Sequence, residues 1–165
     1  MVSGDTHLAR GQRLVLRCRP MVDRLTPERR SANMRAIRGR DTKPEIQVRQ
    51  TLHRMGFRYR LHIKDVPGRP DIAFKSRRKA IFVHGCFWHS HPGCAKAYRP
   101  KSRLDFWDAK LARNQTRDAE VQNALSAIGW TSLIVWECEV VDREQLGNKL
   151  ERFLEGSSVA QGRHD

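Results

Sequence analysis

The chain has 165 residues, 39% of them hydrophobic and 30% charged, with 32 Lys and Arg against 18 Asp and Glu and a formal net charge of +14. That length holds one domain with a real core and excludes two substantial ones. Charge this one-sided argues against an enzyme of small neutral metabolites and for a phosphate backbone as partner, bound with an affinity that falls steeply with salt.

No run approaches the ~20 apolar residues of a membrane span. Leu14-Val15-Leu16 is too short an apolar core for a signal peptide. The expected location is therefore the cytoplasm, in association with the nucleoid. In that reducing setting the cysteines at 18, 86, 94 and 138 are better read as metal ligands than as disulfides.

In chain order, residues 1–24 are expected to be a flexible extension, and residues 25–40 a basic arm that lies on something acidic. Thr42-Lys43-Pro44-Glu45 is a capping box, and Val48, Leu52 and Met55 then recur at helical spacing, which predicts an amphipathic helix stopped by Gly56. Phe57, Tyr59 and Leu61 alternate with Arg58, Arg60 and His62, the pattern of a half-buried strand. After a turn at Pro67-Gly68-Arg69-Pro70, residues 71–74 and 80–83 predict two strands joined as a hairpin. Phe106, Leu111, Val121, Leu125 and Ile128 predict a long helix with one buried side, ended by Gly129. Residues 131–136 predict a strand covered on both faces, residues 142–154 a closing helix, and residues 156–165 a disordered tail. The order helix, three strands, helix, strand, helix predicts an α/β domain with a mixed sheet between helices.

Within this frame the run from Ile81 to Cys94 holds three histidines, two cysteines and the adjacent rings Phe87 and Trp88. Cys86, His91 and Cys94, with Cys138 beyond the last strand, make a Cys3His set suited to a closed, structural Zn2+ site. His89 is an alternative to His91 as the imidazole ligand. A zinc deaminase would need His-x-Glu, and no histidine here is followed by that Glu.

A second, catalytic ion is expected at Asp71, which opens one strand of the hairpin beside Val83 at the close of the other. One carboxylate plus the Val83 carbonyl suits Mg2+ in a phosphate-processing site. His84 and His89 lie just beyond, where one can take a proton from the attacking water and the other can support the leaving oxygen. Glu45 is explained by bonding the Thr42 amide and is also a candidate for the catalytic water network. His53 and His62 are read as surface residues. Phe87, Trp88 and Trp107 are candidate wedges between bases, with Met34 on the basic arm pushing from the opposite groove. A mismatched pair lowers the cost of such insertion, which makes mismatch or lesion recognition the target class.

The pieces Asn33-Met34-Arg35-Ala36-Ile37, Arg40-Asp41-Thr42, Pro67-Gly68-Arg69-Pro70-Asp71, Phe82-Val83-His84-Gly85-Cys86-Phe87-Trp88-His89, Phe106-Trp107 and Val135-Trp136-Glu137-Cys138 resemble the very short patch repair (Vsr) endonucleases, in order and spacing, from about residue 25 to 155. The resemblance implies a restriction-endonuclease-like three-layer fold and a Mg2+-dependent nick 5′ of the thymine in a T·G mismatch left by 5-methylcytosine deamination. It implies Asp71, His84, His89 and Glu45 as catalytic residues, Asp71 and Val83 holding Mg2+, and Cys86, His91, Cys94 and Cys138 holding structural Zn2+. Met34, Phe87, Trp88 and Trp107 become intercalating residues, with Arg35, Arg38, Lys110 and Asn114 as further DNA contacts. A monomer acting on double-stranded DNA is expected, with mismatch-repair proteins as candidate partners. Two alternatives stand beside it: a restriction-type endonuclease that cuts both strands, and a zinc-stabilised DNA-binding module without catalysis.

Overall fold

The computed structural model describes residues 39–156 together with Thr26 and Arg29. The chain divides into two compact units, Met1–Ile37 and Arg38–Asp165, and the elements below belong to the second. The extension, most of the basic arm including Met34, Arg35 and Arg38, Cys18 and residues 157–165 lie outside the described residues.

Helix α1, Lys43–Arg54, begins where the capping box predicts. The Thr42 hydroxyl accepts from the Glu45 amide at 3.4 Å and the Glu45 carboxylate accepts from the Thr42 amide at 3.4 Å. It ends at Arg54, two residues before Gly56. Strand β1, Arg60–Leu61, pairs antiparallel with β2, Ile72–Phe74. A single 3-10 turn, Lys75–Arg77, returns the chain into β3, Lys79–His84, antiparallel to β2. Helix α2, Leu104–Ala127, then carries the chain across to β4, Thr131–Trp136, which is parallel to β3. A parallel neighbour needs such a crossover. A second 3-10 turn, Glu139–Val141, leads to α3, Arg143–Glu155, capped by the Asp142 side chain. The four-stranded mixed sheet has the order β1-β2-β3-β4.

Strand β3 explains how the layers form, because its side chains alternate between two cores. Ile81 and Val83 join Val48 and Leu52 of α1 and Leu146, Leu150 and Leu154 of α3. Ala80 and Phe82 face the other way, onto Leu125 and Val121 of α2. Helices thus cover both faces. Each fully buried Leu or Ile contributes about 1.5–3 kcal/mol of transfer free energy. Gly68 belongs to the second core: its φ is +74°, and a Cβ there would meet Val121 at 2.3 Å. The predicted Pro-Gly-Arg-Pro turn packs on α2 by virtue of having no side chain at that point.

Lys79 is buried at the start of β3, where its Nζ donates to the carbonyls of Phe153 at 2.6 Å and Leu154 at 2.9 Å. It satisfies the C-terminal end of α3 and fixes that helix to the strand. Burial, with Arg77 adding repulsion, holds its ammonium below the usual lysine range.

Three expectations need correction. Strand β4 is not covered on both faces. Only Val135 is fully buried, and Ser132 to Ile134 and Trp136 are half-buried. Helix α2 does not bury one whole side: Phe106 and Ile128 are exposed, and Leu125 alone is buried. Its N-terminal part serves the site described below instead. The β1 ladder is two residues long and Leu61 is exposed, while Phe57 and Tyr59 pack edge-on against Phe74 with centroids 6.2 Å away. No helix among the described residues is long and apolar enough to cross a membrane.

Candidate active site and sulfur cluster

Asp71 stands one residue before β2 and is tied across the hairpin to β3, accepting from the Val83 amide at 2.8 Å. In an extended strand the amide and carbonyl of one residue project to the same edge, so the Val83 carbonyl faces the Asp71 side. Burial raises the Asp71 carboxyl above its usual range and the nearby Glu45 charge adds to this, against the Val83 hydrogen bond. A carboxylate so disfavoured as an isolated anion is suited to a cation beside it.

Behind Asp71, the Glu45 carboxylate accepts from the amides of Asp41 and Thr42 and from Arg49 Nη2 at 3.0 Å. The capping role read from the sequence is therefore real. His62 is not a surface residue: it is half-buried, with Nε2 at 3.1 Å from Arg49 Nη2 and Nδ1 at 3.9 Å from Asp71 Oδ1. The partner of its Nε2 is supplied by α1, more than ten residues away in sequence. His53 is exposed, as expected.

The histidines at the end of β3 form a second arrangement. His84 and His89 stack with centroids 3.8 Å apart and planes 16° from parallel. His89 Nδ1 lies 2.5 Å from the Asp118 carboxylate, and His84 Nδ1 lies 4.0 Å from the same group without a hydrogen-bond partner. Burial first, and then His89 beside it, lower the His84 imidazole to about 4, against the pull of Asp118. His84 is neutral at physiological pH. A carboxylate only accepts, so His89 carries its proton on Nδ1 and leaves Nε2 as the basic nitrogen.

Sequence reasoning missed Asp118. A signal existed: Lys110, Asn114 and Asp118 are successive i, i+4 positions on α2 and so share one face. Asn114 donates to the Trp88 carbonyl at 2.9 Å, and Lys110 Nζ lies 5.2 Å from the Trp88 ring.

Of the predicted wedge residues, Phe87, Trp88 and Trp107 meet. Phe87 packs edge-on against Trp88 and Trp107 at 5.1 and 5.3 Å, and Trp88 lies 6.0 Å from Trp107. They are half-buried against one another rather than freely exposed, because rings brought this close shield each other. Tyr98, which the sequence reading passed over, adds a ring 5.4 Å from Phe87 and is exposed.

The sulfur cluster lies on the far side of the same loop. The Sγ atoms of Cys86, Cys94 and Cys138 and one nitrogen of His91 lie within 4.8 Å of one another. His91 Nδ1 is 3.6 Å from Cys86 Sγ and 3.3 Å from Cys138 Sγ, and the ring stacks on Trp136 at 4.2 Å. His89, engaged with Asp118, is not part of it. Burial pushes the Cys86 thiol up to about 12 and raises Cys138 as well, while backbone amides lower Cys94. The three thiols are free of disulfides. Three sulfurs and an imidazole gathered without a disulfide fit a tetrahedral soft-metal site, since a thiolate as buried as Cys86 needs a cation beside it.

Comparison with known proteins identifies the family. Residues 22–96 match the family model of the DNA mismatch endonuclease Vsr. The chain is 50% identical over 137 residues to the type II nicking enzyme V.XorIIP of Xanthomonas oryzae pv. oryzae, covering 83% of this chain and 100% of that protein. It is 40% identical over 134 residues to the type II nicking enzyme V.NmeAIP of Neisseria meningitidis, covering 81% and 95%. It is 39% identical over 136 residues to the DNA mismatch endonuclease Vsr of Escherichia coli K12, covering 79% and 86%. With a mixed sheet that gathers a carboxylate, two histidines and a ring cluster at one strand end, and relatives matched over most of their length, this chain belongs to the Vsr family and is a DNA endonuclease.

Proposed function

We propose that this chain nicks double-stranded DNA 5′ of the thymine in a T·G mismatch of the kind left by deamination of 5-methylcytosine. The observation that carries the reading is the convergence on β3: Asp71 bonds the Val83 amide, and the next residue, His84, stacks on the Asp118-held His89. Asp71 and the Val83 carbonyl would hold Mg2+, which when bound supplies positive charge to a phosphodiester under attack. His89, oriented through Nδ1 by Asp118, takes the proton of the attacking water at Nε2 as that water's oxygen bonds to phosphorus and the P–O bond to the sugar oxygen breaks, the departing oxygen taking a proton from solvent water. His84, neutral and stacked on it, keeps the His89 ring in plane.

Phe87, Trp88 and Trp107 enter the base stack, where a mismatched pair unstacks at lower cost, and Met34 presses from the other groove. Arg35, Arg38, Lys110 and Asn114 complete the DNA contacts. Residues 25–40 act as the DNA-contacting arm of an endonuclease domain of restriction-endonuclease-like fold that runs to residue 155, with residues 1–24 outside it. Cys86, His91, Cys94 and Cys138 hold structural Zn2+ that braces the loop carrying the rings. The protein works as a monomer on nucleoid DNA, with mismatch-repair proteins as candidate partners.

The test is a nicking assay with Mg2+ on a T·G oligonucleotide and on its fully paired counterpart. A nick on the thymine strand of the mismatch alone is expected. Cleavage of both strands, or equal nicking of paired DNA, would remove the mismatch reading.

A further inference from the structure

Behind Asp71 lies a relay of side chains to which the reaction above gives no task. Arg49, on the inner side of α1 and 13% exposed, donates from Nη1 to Asp41 at 2.5 Å and from Nη2 to Glu45 at 3.0 Å. The same Nη2 lies 3.1 Å from His62 Nε2. A guanidinium has donors and no acceptor, so His62 must accept at Nε2. The single proton of the neutral ring then sits on Nδ1, the nitrogen that faces Asp71. His62 holds this pose with a backbone φ of +46°, a left-handed conformation that few residues other than glycine adopt. Conformations of this kind persist where the surroundings dictate the geometry, often at functional sites.

We infer that Arg49 fixes His62 as an Nδ1–H donor beside the Asp71 carboxylate, where it donates to a non-bridging oxygen of the phosphodiester held there. His62 is the substrate contact and Arg49 its positioning residue. The 3.9 Å gap between His62 Nδ1 and Asp71 Oδ1 is too long for a direct hydrogen bond, so Asp71 does not consume the donor. Arg49 in turn is held by two carboxylates, which keeps the guanidinium from swinging into the site. This contact rests on the phosphodiester reading of the Asp71 site given above.

Two measurements test it. Ring 15N NMR of the free protein should show His62 protonated at Nδ1, and Arg49→Met should lose that signature; an Nε2–H ring in the wild type would overturn the inference. In the T·G nicking assay, His62→Gly, which relaxes the left-handed backbone, should lower kcat roughly 10- to 100-fold while KM for DNA stays nearly constant. His62→Asn, whose amide N–H sits near the Nδ1 position and which tolerates the same φ, should recover most of the loss. Asn no better than Gly, or Gly at the native rate, would overturn the contact. Because the tautomer is read without substrate, a wild type that fails to nick the mismatch removes the proposed function and leaves the ring assignment standing.

Discussion

The end of β3 feeds two clusters that differ in nearly every physical respect. Three residues past Val83 the chain supplies Cys86 to a set of three sulfurs and one imidazole, all within 4.8 Å of one another. One residue past Val83 it supplies His84 to a set of oxygens and imidazoles in which a buried nitrogen is left without a partner. The first is closed on itself and its donors are soft. The second is open, and its donors are hard or basic. A closed set stabilises a fold, and an open one keeps capacity for a substrate.

The widest separation between the two should come from Asp71→Ala. Nicking of a T·G duplex is expected to fall on the order of 10³-fold, as when one charge-stabilising group is removed from an active site. The melting temperature should hold or rise slightly, since burial and Glu45 already disfavour the anion. DNA binding, measured by anisotropy, should be unchanged. Native-rate nicking by this variant would move the catalytic centre elsewhere.

Cys138→Ala should give the opposite pattern. Loss of one thiolate releases the metal and costs about 4 kcal/mol or more of stability. A Tm drop of roughly 10 °C follows at roughly 2–4 °C per kcal/mol for a domain of this size. Zinc content and calorimetry read the two together, and a strong chelator should reproduce the shift. Bound zinc retained in full would exclude Cys138 from the cluster.

The two clusters were also unequally legible. Three of the four sulfur-site ligands lie within nine residues, in a spacing that metal chemistry restricts, and the fourth follows a recognisable strand. What spacing left open was His89 against His91, and only the turn of the loop decides it. The sheet and helix order could likewise be read from periodicity. The open site was legible only in part: the sequence points to Asp71, Val83, His84, His89 and Glu45, but not to Arg49 of α1, His62 at the end of β1 or Asp118 in the middle of α2, because tertiary contacts bring these three there. Exposed aspartates and arginines are common on helices, and neither Arg49 nor Asp118 stands out until the helices are packed on the sheet. The apolar residues of α2 misled for a related reason. The N-terminal part of that helix presents Trp107, Lys110 and Asn114 to the ring cluster instead of completing a core.

Asp118→Asn separates the open site from its support. The amide can no longer act purely as an acceptor toward His89 Nδ1–H, so the ring loses its fixed tautomer. Changes to such outer partners cost roughly 10- to 100-fold. The loss should fall on kcat, with zinc content and Tm near wild type. A matching fall in Tm would make Asp118 a structural residue rather than an orienting one.

The smallest expected effect bears on Glu45, which belongs both to the capping box and to the group behind Asp71. Thr42→Ala removes the hydroxyl that caps α1, at a cost of about 1 kcal/mol. The Glu45 carboxylate would still accept from the Asp41 amide and from Arg49, so its position near the site is held without the cap. Chemical denaturation should therefore register the change while nicking varies by less than about twofold, a difference of under 0.5 kcal/mol in the barrier. If Thr42→Ala slows nicking as much as Glu45→Gln does, the helix start is itself what orients the carboxylate. In that case the open site depends on local secondary structure as directly as the sulfur cluster would depend on a bound metal.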